Sequence, residues 1–396
     1  MSAQVVKPRI RGFIATNAHP DGCAANVRAQ VEVAQASLPG TGIDNVLVIG
    51  SSTGYGLSSA ICGCFGYGAS TLGVCFERPS TEDKGASAGW YNVAEAHRLA
   101  REQGRSFETI NGDAFSEEIK QQAVDALKAR FGKIDLLVYS LAAPRRQGAD
   151  GTVWNSVLKP IGSSHSAKTI NLRSGAIEER TFDQATDQEI ADTLMVMGGE
   201  DWADWVETLR DNDLLADSFR TVAYSYIGPQ ATQAIYRFGT IGHAKEHLEA
   251  TAQTLNERLS ADLRGGAWVS VNKAVVTQAS AAIPGVPLYI GILFKVMKER
   301  GLHEGTIEQI VRLYRDHLIS DGVPATDDGG RIRLDDLEMT PEVQATVDGI
   351  WNEVTTERVG ELLDYEGYQR DFRQIFGFDV NGIDYDAPTE VHRELS

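Results

Sequence analysis

The chain has 396 residues, 42% of them hydrophobic and 23% charged, with a formal net charge of −18 at pH 7. This composition is that of a soluble globular protein, long enough for two domains or for one elaborated α/β domain. The acidic balance excludes non-specific binding to nucleic acid or to an anionic membrane surface, and it leaves any anionic ligand to a local positive pocket.

No apolar run reaches the roughly 20 residues of a membrane helix. Lys7, Pro8, Arg9 and Arg11 precede a polar stretch rather than an apolar leader core, so a cytoplasmic chain is expected. The four cysteines, Cys23, Cys62, Cys64 and Cys75, read as free thiols of a reducing compartment. Cys62-Gly-Cys64 lacks a standard zinc spacing, and no metal is expected.

Residues 1–44 precede the first strongly patterned strand. Arg9–Thr16 is strand-permissive, His19-Pro-Asp-Gly reads as a turn, and residues 24–36 read as a helix with Val27, Val31 and Ala34 on one face. Val46-Leu-Val-Ile then runs into Gly50-Ser51-Ser52-Thr53-Gly54-Tyr55-Gly56, a pattern of strand, tight turn and helix. Backbone N–H groups at such a turn, and the positive end of the helix behind it, suit an anionic diphosphate. The spacing is G-x-x-x-G-x-G, that of the short-chain dehydrogenase branch of dinucleotide folds rather than G-x-G-x-x-G. A glycine turn that serves geometry alone is the plain alternative.

Leu57–Tyr67 reads as the first crossover helix and Ser70–Phe76 as the second strand. That strand ends in Phe76-Glu77-Arg78. A carboxylate at this point meets the ribose hydroxyls of adenosine and repels a 2′-phosphate, which favours NADH. Arg78 pulls the other way, and a solvated loop carboxylate is the alternative for Glu77. A helix over Trp90–Gln103 and a strand over Phe107–Ile110 follow. Asp113 and Ala114 come next, with Asp113 suited equally to the adenine amino group and to capping a helix over Glu117–Phe131. The fourth strand, Ile134–Ser140, gives way to Leu141-Ala142-Ala-Pro, small residues that admit a cofactor's sugar and ring. Arg145-Arg146 reads either as a solvated turn or as a contact for phosphate or an acidic partner.

Strand and helix in alternation predict a Rossmann-type, doubly wound parallel sheet with helices on both faces. Polar residues 150–217, with helices over 187–197 and 202–212, interrupt the rhythm and read as an insertion over the active face. Phe219–Ile227 is the fifth strand, stopped by Gly228-Pro229. A long helix follows over Ile241–Leu263, and the sixth strand is Ala267–Val271. The remainder is helical over 288–300, 306–319 and 341–354, with an aromatic, acidic tail from Tyr365 to Ile383 that reads as packed. The division is one elaborated dinucleotide-binding domain: an extension at 1–44, a core at 45–280 and an extended helical region at 281–396.

A second cluster comprises Tyr226, Tyr236 and Lys245. Short-chain reductases place a tyrosine proton donor four residues before a lysine, on one helical face. Here Tyr236 and Lys245 are nine residues apart, about two and a half turns, and would face opposite ways on a single helix. Gly239 and Gly242 break the stretch, so Tyr236 can precede the helix while Lys245 lies in its first turns. Lys245 could then bond the nicotinamide ribose and lower the tyrosine's pKa. Ordinary packing tyrosines are the alternative.

With these residues in view the sequence resembles the FabV-type trans-2-enoyl reductases over nearly its whole length. The resemblance is carried by Lys7-Pro-Arg-Ile-Arg-Gly-Phe-Ile, His19-Pro-Asp-Gly-Cys23, the Gly50–Gly56 turn, Ser140-Leu-Ala-Ala-Pro-Arg-Arg, Tyr236-x₈-Lys245 and Val276-Thr-Gln-Ala-Ser280. It implies reduction of enoyl-acyl-carrier protein or enoyl-CoA with NADH, in fatty acid synthesis, by a monomer. It also implies roles. Gly50, Ser51, Ser52, Thr53, Gly54 and Tyr55 would hold the diphosphate, Phe76 and Glu77 the adenosine, and Asp113 and Ala114 the adenine. Leu141, Ala142, Val275, Val276 and Thr277 would flank the nicotinamide. Tyr226 would bond the thioester carbonyl, Tyr236 would donate the proton, Lys245 would bind cofactor, and residues 281–300 would line the acyl site. A carbonyl reductase or alcohol dehydrogenase using the same residues, and a non-catalytic NADH-binding protein, are the rival readings.

Overall fold

Short, nearly continuous apolar runs form parallel strands covered on both faces. In the computed structural model, which describes residues 3–11, 14–81 and 84–395 apart from the side chain of Ile14, seven strands form one sheet, some of them such runs and others, at its edges, shorter or more polar. They are β1 (Asn45–Ile49), β2 (Ser70–Cys75), β3 (Phe107–Asn111), β4 (Ile134–Tyr139), β5 (Leu215–Ser225), β6 (Gly266–Val271) and β7 (Ile332–Arg333). Their order is β7-β6-β5-β4-β1-β2-β3, and each pairing is parallel. The register is set on β1, where Leu47 lies opposite Leu72 on β2 and Leu137 on β4. The expected doubly wound sheet is therefore present. Its seventh strand was not anticipated, being two residues long in a Gly- and Asp-rich stretch.

Alternation along β1 divides the core between the two faces. Val46 and Val48 pack with α1 (Pro20–Ser37), α2 (Gly54–Ile61) and α3 (Ala88–Glu102) through Val27, Leu57 and Val93. Leu47 and Ile49 pack on the other side with α4 (Glu117–Ala126) and with helices further along the chain.

Three expectations need correction. His19-Pro-Asp-Gly is not a free turn but the start of α1. Pro20 takes the first helical position, where its missing N–H costs nothing, and the His19 ring accepts from the Gly22 N–H at 3.3 Å. Residues Gly12 and Phe13 of the Arg9–Thr16 stretch lie outside the described residues. The second correction concerns residues 150–217. Hairpins at Arg145–Gln147/Val153–Asn155 and His165–Ile170/Ile177–Phe182 and the helix α5 (Asp187–Met197) do interrupt the core pattern. The next helix, α6 (Glu200–Asp211), belongs to the layer covering the sheet, because Trp202 and Trp205 are fully buried against it. Trp202 donates to Thr221 on β5 at 2.8 Å. Third, Tyr236 does precede the long helix, α7 (Thr240–Asp262), lying in the turn that follows a short helix at Gln230–Gln233, but Gly242 does not break the stretch, since it lies in the first turn of α7.

The third apolar cluster lies beyond the sheet's carboxyl edge. Its centre is α8 (Val286–Glu299), buried on nearly all sides, as expected of a helix apolar all round. After α9 (Thr306–Arg312) and β7, α10 (Pro341–Glu353) and α11 (Tyr365–Gln374) cover α8. The tail is packed as expected. Tyr91 donates to the Val391 carbonyl at 2.8 Å, Trp90 to Arg393 at 2.7 Å, and Gln4 pairs with Thr389.

Candidate functional site

The strand order reverses between β1 and β4, and in open parallel sheets ligands bind outside the carboxyl ends of the strands at such a point. The expected site residues all fall on this edge. Gly50–Tyr55 follow β1, Phe76–Glu77 follow β2, Asp113–Ala114 follow β3, Leu141–Ala142 follow β4, Tyr226 follows β5 and Val275–Thr277 follow β6.

The glycine turn is fixed by close backbone approach. Gly50 has φ +86°, and a Cβ there would run into the Ser140 carbonyl; a Cβ on Gly56 would run into the Gly50 carbonyl. The N–H groups of Gly50 and Ser51 are held by the Val74 carbonyl at 2.8 and 3.1 Å. Thr53 makes no side-chain cap bond, so the opening N–H groups of α2 are left for a ligand, an anion seat by construction.

Glu77 is not a solvated loop carboxylate. Ser52 Oγ donates to its Oε1 at 2.6 Å, and the Asn111 amide brackets its backbone at 2.7 and 2.9 Å. Gly89 on α3 leaves room that a Cβ would take from Oε1. Phe76 beside it is 77% exposed, an open aromatic face. Asp113 does not cap α4: Ser116 does, accepting from the Ile119 N–H, while Asp113 Oδ1 accepts from Phe115 at 3.0 Å. Arg146 is structural. Its guanidinium lies over Phe115 and Trp154 and donates to the Met195 carbonyl at 2.9 Å. Arg145 is exposed.

At the other end the Tyr226 and Tyr236 rings meet edge to face, centroids 5.2 Å apart. Lys245, on the first turns of α7, is buried and donates to the Tyr224 carbonyl at 3.1 Å. Burial lowers the Lys245 pKa to about 8, against the pull of Glu249. Burial also pushes both phenols up, opposed at Tyr236 by the Arg237 cation. In the protein alone, then, Tyr236 is not acidified as the spacing argument expected: desolvation outweighs the nearby cation. Val275–Thr277 are folded into a turn by Ser280, whose Oγ donates to the Val275 carbonyl and accepts from the Thr277 N–H, both at 2.9 Å. This edge offers an anion seat at the glycine turn, a carboxylate for paired hydroxyls, and two phenols with an ammonium, which suits a dinucleotide and a polarised carbonyl.

Sequence reasoning missed a buried group behind the phenols. Glu338, Tyr289, Gln309 and Lys273 are fully or almost fully buried. Tyr55 joins them, its hydroxyl 2.7 Å from the Lys273 carbonyl. Glu338 sits in Asp335-Asp-Leu-Glu, which reads as a solvated acidic loop. The four free cysteines are buried, and among the described residues no cluster of metal-ligating side chains occurs.

Comparison with known proteins gives matches along almost the whole chain. A family described as the trans-2-enoyl-CoA reductase catalytic region matches residues 84–319. The NAD(P)H binding domain of trans-2-enoyl-CoA reductase matches 5–82, and an enoyl reductase FAD binding domain matches 326–389. The chain is 50% identical over 388 residues to a trans-2-enoyl-CoA reductase [NADH] of Ruminiclostridium cellulolyticum, covering 98% of each chain. It is likewise 50% identical to an enoyl-[acyl-carrier-protein] reductase [NADH] of Flavobacterium johnsoniae, covering 97% of each. Among solved structures, the trans-2-enoyl-CoA reductase of Treponema denticola in complex with NAD superposes with a TM-score of 0.94 at 47% identity, over 99% of each chain. That of Clostridium acetobutulicum in complex with NADH gives 0.95 at 42%, over 98% of each.

The residues of 326–389 do not fit a flavin. The strand there, β7, is two residues long and opens no glycine-rich turn at its carboxyl end, and Val343, Val347, Tyr368 and Phe372 are taken up in packing on α8.

Proposed function

The chain belongs to the trans-2-enoyl-CoA reductase family, and from that premise we infer that it reduces the C2–C3 double bond of trans-2-enoyl thioesters with NADH. The observation that carries this reading is the phenol pair, Tyr226 and Tyr236, across the carboxyl edge from the anion seat of the glycine turn.

NADH supplies the hydride that adds at C3 of the conjugated thioester. The protein's part is to bind, orient and manage charge. The opening N–H groups of α2, with Gly50–Tyr55, hold the diphosphate, Glu77 accepts from the adenosine ribose beside Phe76, and Asp113–Ala114 meet the adenine. Leu141–Ala142 and Val275–Thr277 flank the nicotinamide, and Lys245 bonds its ribose. As charge builds on the thioester oxygen, the Tyr226 hydroxyl donates to it, a contact that strengthens only as the enolate forms. Tyr236 supplies the proton. These roles are supported by the gathering of the residues on one edge and by the match of spacing to the family.

The reading extends to a monomeric, cytoplasmic enzyme of fatty acid synthesis that takes enoyl-CoA or enoyl-acyl-carrier protein. It is supported by the names of both kinds of relative and by four buried, unpaired thiols. We also infer that the chain folds as one unit rather than as separable domains. The test of activity follows NADH absorbance with crotonyl-CoA, a longer enoyl thioester and a panel of ketones. Oxidation on the enoyl thioesters and not on the ketones is expected; turnover on ketones alone would replace the reading by a carbonyl reductase. Sedimentation with and without NADH tests the monomer.

A further inference from the structure

Glu338 lies between β7 and α10 with no exposed surface. A buried carboxylate is costly unless its oxygens are met. Here Oε2 accepts from the Ala274 N–H at 2.6 Å. Oε1 accepts from the Tyr289 hydroxyl of α8 at 2.7 Å and, more loosely, from the Tyr226 hydroxyl at 3.4 Å. Gln344 of α10 steadies the arrangement, donating to the Glu338 carbonyl at 2.8 Å and to the Tyr289 hydroxyl at 3.1 Å.

The backbone that Glu338 grips is fixed at three further points. The Gln309 side chain accepts from the Lys273 N–H at 2.8 Å, and Tyr55 donates to the Lys273 carbonyl at 2.7 Å. The buried Lys273 ammonium bonds the Ala274 carbonyl at 2.9 Å and lies over the Phe294 ring. The next residue is Val275, the start of the segment that flanks the nicotinamide. In the protein alone Glu338 thus touches, through its two oxygens, the hydroxyl at the carbonyl end of the site and the peptide that leads into the nicotinamide wall; the single Tyr226 proton, only loosely held by Oε1, is free to turn to the thioester oxygen when substrate binds.

We propose that Glu338 is a positioning residue whose reach sets the spacing between the Tyr226 hydroxyl and the Val275–Thr277 segment, and with it the approach of hydride to C3. This rests on the reading of Tyr226 as the carbonyl contact and of that segment as the nicotinamide wall. Transfer needs reacting atoms within about 3–3.5 Å, so an error of about 1 Å in either wall costs rate rather than affinity.

Two variants separate reach from charge. Glu338→Asp keeps the charge and withdraws the carboxylate by one C–C bond, about 1.5 Å. Glu338→Gln keeps the reach: its amide oxygen can accept from Ala274 and its NH₂ can donate to the two hydroxyls. With crotonyl-CoA and NADH, Glu338→Asp is expected to lower kcat at least tenfold with NADH affinity within twofold. It should also raise the isotope effect on kcat seen with NADH deuterated at the transferred position. Glu338→Gln is expected to keep kcat within threefold. A normal kcat in Glu338→Asp, or a loss in Glu338→Gln as deep as in Glu338→Asp, overturns the inference. Should Glu338→Asp not fold, Tyr289→Phe frees the same oxygen from its tighter hydroxyl. It should lower kcat at least threefold at unchanged NADH affinity, and an unchanged kcat and isotope effect would overturn the inference. Wild-type protein inert toward both crotonyl-CoA and a longer enoyl thioester would refute the activity itself. Wild-type turnover beside an unimpaired Glu338→Asp refutes this inference alone.

Discussion

Tyr236 and Lys245 are both buried, and burial acts on them in opposite senses: it holds the phenol's proton on and loosens the ammonium's. A phenol that keeps its proton until charge develops beside it suits a donor. Tyr236→Phe, which removes only the hydroxyl, is therefore expected to lower kcat at least tenfold with NADH affinity nearly unchanged, read from single-turnover rates and a fluorescence titration. Near-normal turnover would shift the donor role to Tyr226. Lys245 carries its charge below its pKa of about 8 and loses it above. Its contribution to NADH binding should thus be full at pH 6 to 7 and fall as pH rises through about 8, giving an alkaline limb in kcat/KM. Lys245→Arg, whose guanidinium stays charged, should abolish that limb even where it lowers the plateau. A limb that persists unchanged in Lys245→Arg would assign it to another group, such as the buried Lys273, whose pKa burial also lowers.

The element that carries most of the site is the β1–turn–α2 unit, and it was legible because its determinants are local. Four apolar residues make the strand, Gly50 takes a left-handed φ, and Gly56 lets the helix start against the turn. The Tyr-x₈-Lys spacing was legible for the same reason: Gly239 marks the break before α7, although Gly242 proves to lie in the first turn of the helix. What joins Glu77 to this unit is not local. Ser52, Asn111 and Gly89 come from three separate elements, and only the folded sheet brings them around one carboxylate. Held there, Glu77 should accept from both ribose hydroxyls of NADH and oppose the 2′-phosphate of NADPH. NADH is expected to be preferred by well over tenfold, more than about 1.4 kcal/mol. Glu77→Ala should narrow that gap mainly by improving NADPH. Comparison of kcat/KM for both cofactors in wild type and variant decides this, and an unchanged ratio would give the preference another source.

For the molecule as a whole, the sheet order follows from alternating strands and helices, whereas the closing of the carboxyl edge by residues 326–395 was not legible. Its contacts join distant parts of the chain: Glu338 with Ala274, Tyr91 with Val391, His19 with Phe376. Polar and aromatic residues in that region carry no periodic signal of what they will meet. The same contacts bear on whether 326–389, matched as a separate family, folds by itself. Phe376 and Phe378 are buried in one apolar cluster with Cys23, Tyr91 and α8, and Val391, whose carbonyl accepts from Tyr91, is buried as well. Losing two buried phenylalanines costs about 3–5 kcal/mol each, against a total stability of about 5–15 kcal/mol for an ordinary domain. Deletion of residues 376–396 also leaves the Tyr91 hydroxyl without its carbonyl partner and the Trp90 N–H without Arg393. The truncated chain is expected to lose its cooperative thermal transition and its NADH binding together, although all of the turn at Gly50–Gly56 remains. An isolated 326–389 fragment should show no cooperative melt. A truncated chain that melts cooperatively and binds NADH as the full chain does would mean that the Rossmann core stands alone and the carboxyl-terminal segment is an attachment to it.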